Sequence, residues 1–409
     1  MRITRLRIRA AAYAAGGTAA IAGVAAIAGV AATSATAHQG RAASGPIQIL
    51  DITGTSGATA IFGTQETLGM QAAANYYNKR GGILGHKIKI DIVNDNSDPA
   101  TAASDASQYL SGGGASKYTM VWAGQEGTTS AAIIPIVKKY HVYTTAVNDG
   151  NGQCQKGSNC PNIFLQAGDL SAGEAADTAA LKKDGFKKIG IIQEQGTYDQ
   201  SEATYMLPDL RRAGIKYTVV TFPPTAVSLT PEMQTLKNDN VKAVFAMTLG
   251  PAGGYVLAAR AALGWSVPVH FDVAGSTVNL ASLVPKGTSL AKVWETEQYC
   301  ENIKAKGINW NLMKANAPSA PAGDIECTIA GDGWQAIVML ADAAAKAKSL
   351  SASALIKATS TLKITKGLVS SPTACWTRSN HEDTCQDAGF YDIVPLGNLK
   401  NSRLYPRKS

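Results

Sequence analysis

Residues 75–100, NYYNKRGGILGHKIKIDIVNDNSDPA, decide the fold of this chain. They contain a pair of glycines, Gly81 and Gly82, at the end of an amphipathic helical pattern. Glycine tolerates the left-handed backbone that closes a helix, so the helix is expected to end at this pair. The residues that follow, 87–93, alternate like a strand with one buried face. The stretch therefore predicts a helix that ends at glycine and a strand directly after it.

The same stretch continues into a second helix, so that strands and helices alternate. Asp98 can accept hydrogen bonds from the free N–H groups of this helix, and Pro99 suits its first position. Further short β-branched runs recur between helical patterns, at 47–52, 118–123, 142–146, 189–193, 217–222, 241–247 and 267–273. This alternation predicts parallel sheets built from βαβ units, in which ligands bind outside the carboxyl ends of the strands.

The helix end, the strand and the Asp-Pro helix start together carry a family resemblance. Residues 78–85 read Asn-x-x-Gly-Gly-Ile-x-Gly, and the ordered series of matches runs from about Gln48 to about Phe390. The chain resembles the branched-chain amino-acid (leucine/isoleucine/valine) family of ABC-transporter solute-binding proteins. This resemblance implies an α/β protein with the periplasmic-binding-protein type I fold. Two doubly wound parallel-sheet lobes would be joined by a three-crossing hinge, with the ligand cleft between them.

By this resemblance, each lobe is assembled from two separate segments of the chain. The segments are 46–166 with 297–366 for the first lobe, and 167–296 with 367–409 for the second. The three crossings between the lobes are expected near Gln166, Thr296 and Lys366.

The first 37 residues have the organisation of a secretory signal peptide. Four arginines precede an Ala/Gly/Ile/Val run at 10–32, and Ala35-Thr36-Ala37 matches a small-residue cleavage site. We expect cleavage of 1–37 and an exported protein of the periplasm, cell envelope or exterior. An uncleaved membrane anchor is the alternative, because the apolar run is about long enough to span a bilayer. Loss of the four arginines lowers the formal charge from +8 to +4. No basic run carries interleaved aromatics, so nucleic acid is not an expected partner.

The chain has six cysteines, an even number that favours disulfides in an exported protein. None forms a Cys-x-x-Cys pair, which argues against zinc and thioredoxin-like chemistry. Pairing of sequence neighbours is preferred among several connectivities, because each such bond closes a loop rich in Gly, Asn, Pro or Ser. The expected bonds are Cys154–Cys160, Cys300–Cys327 and Cys375–Cys385.

Enzyme motifs are absent from the sequence. It has no Gly-x-Ser-x-Gly elbow, no His-Glu-x-x-His and no Gly-rich nucleotide loop followed by Lys-Ser/Thr. His381-Glu382-Asp383 resembles a metal-ligand run, but adjacent residues converge poorly on one ion, and a solvated turn is the preferred interpretation. We therefore expect no catalytic residues, no metal and no cofactor.

Two loops that follow strands of the first half are candidate ligand contacts. Gln125, Thr128 and Thr129 lie where the strand at 118–123 gives way to a helix, whose free N–H groups suit a carboxylate. The alternative for either threonine is an ordinary helix cap. In the family this loop binds the ligand carboxylate and Thr128 falls on that position, while Asn148 replaces a threonine of the family's second binding loop.

Two aromatic residues match family positions that enclose the ligand. Phe62 follows the first strand, and Tyr198 follows the strand at 189–193. Packing within a core is the alternative for both. Tyr198 is the stronger candidate, because a loop tyrosine just before a helix is rarely part of a core.

Two departures from the family bear on the ligand. Leu249 stands where the family has a further tyrosine, and Gly275 and Ser276, kept as candidate contacts, stand where it has a glutamate for the amino acid's ammonium. A buried ammonium without a countercharge costs several kcal/mol. Unless Asp272 or Glu126 turns inward, the ligand is expected to lack a free α-ammonium, which favours an organic acid, an amide or an aromatic compound over an amino acid.

The function that this resemblance implies is capture of a small solute outside the cytoplasm for an ABC importer. The expected partners are the solute and an ABC permease in the membrane, and a monomer is expected. A ligand sensor for a signalling partner and an exported hydrolase are the alternatives. The sensor would share the same closing lobes, whereas the missing nucleophile motifs count against the hydrolase.

Overall fold

The computed structural model describes residues 45–124, 127–154, 156–168, 170–273, 284–298, 309–318, 325, 327–386, 391–400 and 403–406. Within these residues no helix is long and apolar enough to cross a membrane. The expected signal peptide, Cys300 and the candidate contacts Gln125, Gly275 and Ser276 lie outside the described residues.

The chain first forms a five-stranded parallel sheet. Its strands are β1 (Ile47–Thr53), β2 (Ile88–Asn94), β3 (Met120–Trp122), β4 (Thr144–Ala146) and β5 (Ile163–Leu165). The helices between them are α1 (Ala60–Lys79), α2 (Pro99–Leu110) and α3 (Gly127–Tyr140), with a short 3-10 turn at Gly114–Lys117. The strand order β2-β1-β3-β4-β5 reverses direction between β1 and β3, as in a doubly wound sheet.

The next segment repeats this pattern in a second sheet. Its helices are α4 (Leu170–Lys183), α5 (Thr197–Ala213), α6 (Thr230–Asn238) and α7 (Ala252–Ala262). Its parallel strands are β6 (Lys188–Glu194), β7 (Lys216–Phe222), β8 (Val244–Met247), β9 (Val269–Phe271) and β10 (Val293–Gln298). The order β7-β6-β8-β9-β10 has the same reversal as the first sheet.

The chain then returns to the first lobe and ends in the second. The returning elements are α8 (Trp310–Asn316), α9 (Cys327–Ala347), α10 (Ala352–Thr359), β11 (Lys363–Ile364) and β12 (Ala374–Cys375). The last two strands, β13 (Tyr391–Lys400) and β14 (Arg403–Pro406), extend the second sheet beyond β10 with antiparallel pairing. The expected fold class, two doubly wound α/β lobes, is confirmed.

The stretch at 75–100 adopts the expected local structure. Gly81 and Gly82 have φ values of 102° and 89°, in the region that favours glycine. The Asp98 side chain accepts a hydrogen bond of 2.7 Å from the backbone N–H of Thr101. Pro99 is the first residue of α2.

The third crossing between the lobes does not lie where the sequence placed it. Leu368, Val369 and Trp376 belong to the apolar core of the first lobe, so the chain has not yet left that lobe at Lys366. It returns to the second sheet only between Gln386 and β13. Residues 367–386 contain little periodic structure, and the pattern alone could not assign them to a lobe. Thr296, near which the second crossing is expected, lies in the last strand before the chain returns to the first lobe at α8.

The first and third crossings run side by side. The Gln386 side chain accepts a hydrogen bond of 2.9 Å from Gly168 N and donates one of 2.9 Å to Gln166 O. The backbone N–H of Asp383 also donates to Ala167 O, over 3.1 Å. One glutamine side chain thus joins two of the hinge segments.

Two of the expected disulfides are present. Cys154 is bonded to Cys160 and Cys375 to Cys385, with Cα–Cα distances of 5.1 and 5.3 Å. Cys300, the expected partner of Cys327, lies outside the described residues. The two closed loops contact each other, since the N–H of Gly157 donates a 3.0 Å hydrogen bond to Ser379 O.

The expectation of a solvated turn at His381-Glu382-Asp383 is wrong, because all three residues are buried. The His381 ring stacks on Phe164, and its Nδ1 lies 2.9 Å from the carbonyl oxygens of Cys160 and Ile163. Asp383 accepts hydrogen bonds from the N–H groups of Cys375 and Cys385. These side chains connect the disulfide loops to the first lobe.

Candidate ligand-binding site

Two loops of the first lobe meet at the start of α3. Thr128, in the first turn of this helix, is half-buried, and Thr129 is buried. A Cβ atom on Gly127 would lie only 2.7 Å from Asn148 Oδ1, so the loop after β4 packs directly against the helix start. The structure therefore brings three of the predicted contact residues together at the carboxyl ends of β3 and β4.

Hydrogen bonds hold the start of α3 and the loop after β4 in place. Ser130 Oγ donates to Ala123 O over 2.7 Å and ties the first turn of α3 to the end of β3. Asn148 Oδ1 accepts a 2.9 Å hydrogen bond from Gly150 N, which shapes the loop after β4. The N-terminus of α3 is thereby held in place, and N–H groups at such a terminus favour a negative group.

Apolar side chains of both lobes form one cluster across the cleft. Phe62 of α1 and Ile329 of α9 come from the first lobe, while Tyr198 and Leu249 come from the second. All four are buried. The two predicted aromatic residues thus contact the same cluster, and Leu249 and Ile329 were not predicted as part of it. Leu249 follows β8, where a substitution of the family tyrosine was the available signal; Ile329 had none.

The lobes also contact each other through polar atoms near this cluster. Ser201 Oγ of α5 donates a 2.8 Å hydrogen bond to Gly150 O of the first lobe. A Cβ atom on Gly250, at φ 54°, would lie 3.2 Å from Ala58 O. The loops after β4 and β8 thus meet elements of the opposite lobe, as in a closed cleft.

Buried carboxyl groups lie in the second lobe beside Tyr198. Asp199 and Glu202 belong to α5, Asp272 follows β9, and Glu174 projects from α4. Asp199, Glu202 and Asp272 can each place one carboxylate oxygen within 4.8 Å of the other two. No spacing in the chain links these acids as a group, since they lie far apart in sequence and converge only through the strand order of the second sheet.

Burial dominates the acid–base behaviour of these groups. It raises the pKa of Glu202 well above its usual value, the charges of Glu174 and Asp199 raise it further, and hydrogen bonds with Asp272 and Tyr198 lower it. Burial likewise raises the pKa of Glu174, with Asp177 and Asp272 adding to the effect. Closely spaced carboxylates in an apolar environment cannot all stay ionised, so the group retains protons.

The buried carboxyl groups bear on whether the ligand carries a free α-ammonium. From the sequence, the ligand is expected to lack a free α-ammonium unless Asp272 or Glu126 turns inward. Asp272 is buried among other acids beside Tyr198, so this exception bears on the ligand. Gly275, Ser276 and Glu126 lie outside the described residues, so a preference against amino acids stays a prediction.

The sequence has clear similarities to known proteins. A family model described as periplasmic binding protein matches residues 46–393. The Leu/Ile/Val-binding protein BraC3 of Rhizobium johnstonii is 25% identical over 287 residues, which are 65% of this chain and 74% of that protein.

The fold is shared with solved structures of solute-binding proteins. A solute-binding protein of R. palustris, crystallised with 4-hydroxybenzoate, superposes with a TM-score of 0.74 at 16% identity, covering 89% of this chain and 96% of that one. A leucine-binding protein of Thermotoga maritima gives a TM-score of 0.72 at 16% identity, covering 88% and 98%. At such identities these structures establish the two-lobed architecture.

Proposed function

The chain belongs to the periplasmic binding protein family, and we propose that it captures a small organic solute outside the cytoplasm and delivers it to an ABC permease. It would act by binding and hinge closure and not as an enzyme. The observation that carries this proposal is the cluster of Phe62, Tyr198, Leu249 and Ile329, which draws side chains from both lobes.

A solute that touches both lobes binds the closed form more tightly than the open form. Closure then follows from the difference between these two affinities. A permease can distinguish the loaded protein by its shape alone, without contact to the solute. The contacts of α5 with the first lobe, such as Ser201 with Gly150, would be made and broken in this movement.

The polar and apolar halves of the site would have different tasks. Thr128, Thr129 and Asn148, together with Gln125, would hold the polar end of the solute at the start of α3. Phe62 and Tyr198 would enclose its body, and Gly275 and Ser276 would contact it from the second lobe. The proteins of similar fold, one crystallised with 4-hydroxybenzoate and one named for leucine, support a solute of this size.

Identification of the native solute tests the proposal. We would purify the secreted protein from its own host, release bound compounds by denaturation and identify them by mass spectrometry. Titration calorimetry with the identified compound should then show one site, which Tyr198→Ala weakens at least tenfold. Thr204→Ala is the matched control, because Thr204 lies exposed on the same helix. Equal affinity in both variants would place the site elsewhere.

Uptake by the host separates transport from signalling. Deletion of the gene should abolish import of the labelled solute, and the wild-type gene should restore it. Normal uptake in the deletion strain, with loss of a transcriptional response to the solute, would favour the sensor instead.

A further inference from the structure

The strongest unexplained feature outside the proposed solute contacts is the group of carboxyl side chains beside Tyr198. Glu174, Asp199, Glu202 and Asp272 are 3%, 0%, 1% and 1% exposed. Three of them come within 4.8 Å of one another through one oxygen each. Oxygens that share one Ca²⁺ at about 2.4 Å are at most about 5 Å apart, so the spacing suits a single ion.

Glu202 is surrounded by acids rather than by bases. The groups that act on it are Glu174, Asp199, Asp272 and the Tyr198 hydroxyl. No lysine, arginine or histidine forms an ion pair with Glu202 or Glu174 within the described residues. Buried carboxylates are normally paired with a cation or bind a metal.

Glu174 adds a further buried carboxyl group beside Glu202. It lies on a different helix from Asp199 and Glu202, and its carboxyl group contacts that of Glu202. Its Oε2 atom is buried and has no hydrogen-bond partner among the residues that the structure describes. The Oε2 atom of Glu202 is likewise buried and has no hydrogen-bond partner among these residues. Two carboxylate oxygens on neighbouring helices are therefore available to a ligand.

The group also borders the cleft. Asp199 Oδ2 lies 2.8 Å from the point where a Cβ atom on Gly196 would be, and Thr128 Oγ1 of the first lobe lies 3.9 Å from the same point. Ions could thus reach the carboxyl groups from the cleft when the lobes separate.

We propose that Asp199, Glu202 and Asp272, with Glu174 beside them, bind one hard divalent cation of the Ca²⁺ or Mg²⁺ type. Carboxylate oxygens are the ligands that such ions prefer. The ion would replace several mutually repelling or protonated groups by one coordinated centre and would join α4, α5 and the end of β9. Binding of the cation at this site does not depend on which solute the protein binds.

Titration of the chelator-treated, full mature protein tests this site. CaCl₂, MgCl₂ and MnCl₂ would each be added alone, with melting temperature and calorimetric stoichiometry as the readouts. We expect one equivalent of at least one ion to bind and to raise the melting temperature by several degrees. Glu202→Gln and Asp199→Asn, which keep size and polarity, should each weaken the binding at least tenfold.

A buried acid of the first lobe supplies the matched control. Glu66 is fully buried and accepts hydrogen bonds from Trp122 Nε1 and Thr53 Oγ1, at 3.1 and 3.3 Å. Glu66→Gln should therefore leave the response to the ion unchanged. If Glu202→Gln fails to fold, Tb³⁺ can be bound to the wild-type protein and its luminescence excited through tyrosine. Ca²⁺ should displace the Tb³⁺ and lower this luminescence. The luminescence should also be weaker in Tyr198→Phe.

Two results would overturn the site. One is no response of the wild-type protein to any of the three ions, and the other is an equal response in Glu202→Gln and Glu66→Gln. Loss of solute binding in Glu202→Gln without any response to ions would also reject a metal and assign the acids to the solute. In that case the proposed function would stand.

Discussion

Asp51 shows how strongly a single side chain can link folding to pH. It is fully buried in β1, and its Oδ2 accepts a 2.7 Å hydrogen bond from Thr67 Oγ1. Burial raises its pKa to about 7, the Thr67 hydrogen bond opposes this rise, and the charge of Asp95 adds to it. The folded protein therefore holds a proton here that the unfolded chain releases near pH 4.

We predict that Asp51→Asn changes the pH dependence of stability. The stabilisation from the bound proton is fully present below about pH 4, the unfolded pKa, and is lost as pH rises through about 7. The variant lacks this loss, so its free energy of unfolding relative to wild type should increase from pH 5 to pH 8, by at most about 3 kcal/mol. Urea unfolding at three pH values measures it, and parallel curves for the two proteins would contradict it.

The contact between α1 and α9 depends on two glycines. A Cβ atom on Gly69 would lie 1.7 Å from Ala330 O, and one on Gly333 would lie 1.9 Å from Glu66 O. Each helix therefore presses a backbone carbonyl against the bare Cα of the other. Neither glycine has a positive φ, so close approach of the backbones is what requires them.

We predict that Gly69→Ala destabilises the first lobe, although alanine favours helices by about 1 kcal/mol over glycine. Overlap with Ala330 O forces the helices apart, and overpacking of this kind costs about 1–3 kcal/mol or more. Gly173→Ala in α4 is the control, since its nearest neighbour would be the Tyr391 ring at 3.5 Å. Chemical denaturation should show a loss for Gly69→Ala only; a loss of equal size at Gly173 would refute the interpretation.

At the scale of elements, local chemistry predicted most of what the structure contains. The Asp98 cap, the Gly81-Gly82 helix end and the alternation of strand and helix depend on neighbours in sequence, and they are confirmed. The start of α1 was harder. It lies at Ala60, ahead of Gly63 and Gly69, and packing of these glycines against other segments offsets their weak helix propensity.

At the scale of the whole molecule, the contact of α5 with the first lobe reports on closure. The hydrogen bond from Ser201 Oγ to Gly150 O joins the lobes without belonging to the proposed solute contacts. We predict that Ser201→Ala weakens solute binding two- to about tenfold, because one hydrogen bond of the closed form is worth about 0.5–1.5 kcal/mol.

Thr204→Ala is the control for this prediction. Thr204 lies on the same helix and donates a 3.0 Å hydrogen bond to Gln200 O within it. Small-angle scattering with saturating solute should show a lower closed fraction in Ser201→Ala only. Identical affinity and scattering in the two variants would show that this contact does not contribute to closure.

The parts of the site that escaped prediction are those assembled over long distances. Phe62 and Tyr198 are expected in the cleft because they match family positions after strands, and they lie in one apolar cluster. Glu174, Glu202 and Asp272 meet because α4, α5 and the end of β9 pack side by side, a three-dimensional fact that no spacing in the chain encodes. Ile329 likewise arrives from a helix that has crossed back to the first lobe.

The late return of the chain to the first lobe has a consequence for biosynthesis. Trp376 Nε1 donates a 2.7 Å hydrogen bond to Leu165 O, and Trp376 completes a core that begins at Ile47. A ribosome must therefore pass Trp376, more than 300 residues after Ile47, before this core can close. The growing chain exposes the apolar face of α1 until α9 is synthesised. The Cys375–Cys385 bond then closes the loop that carries Trp376 and fixes this late segment on the core.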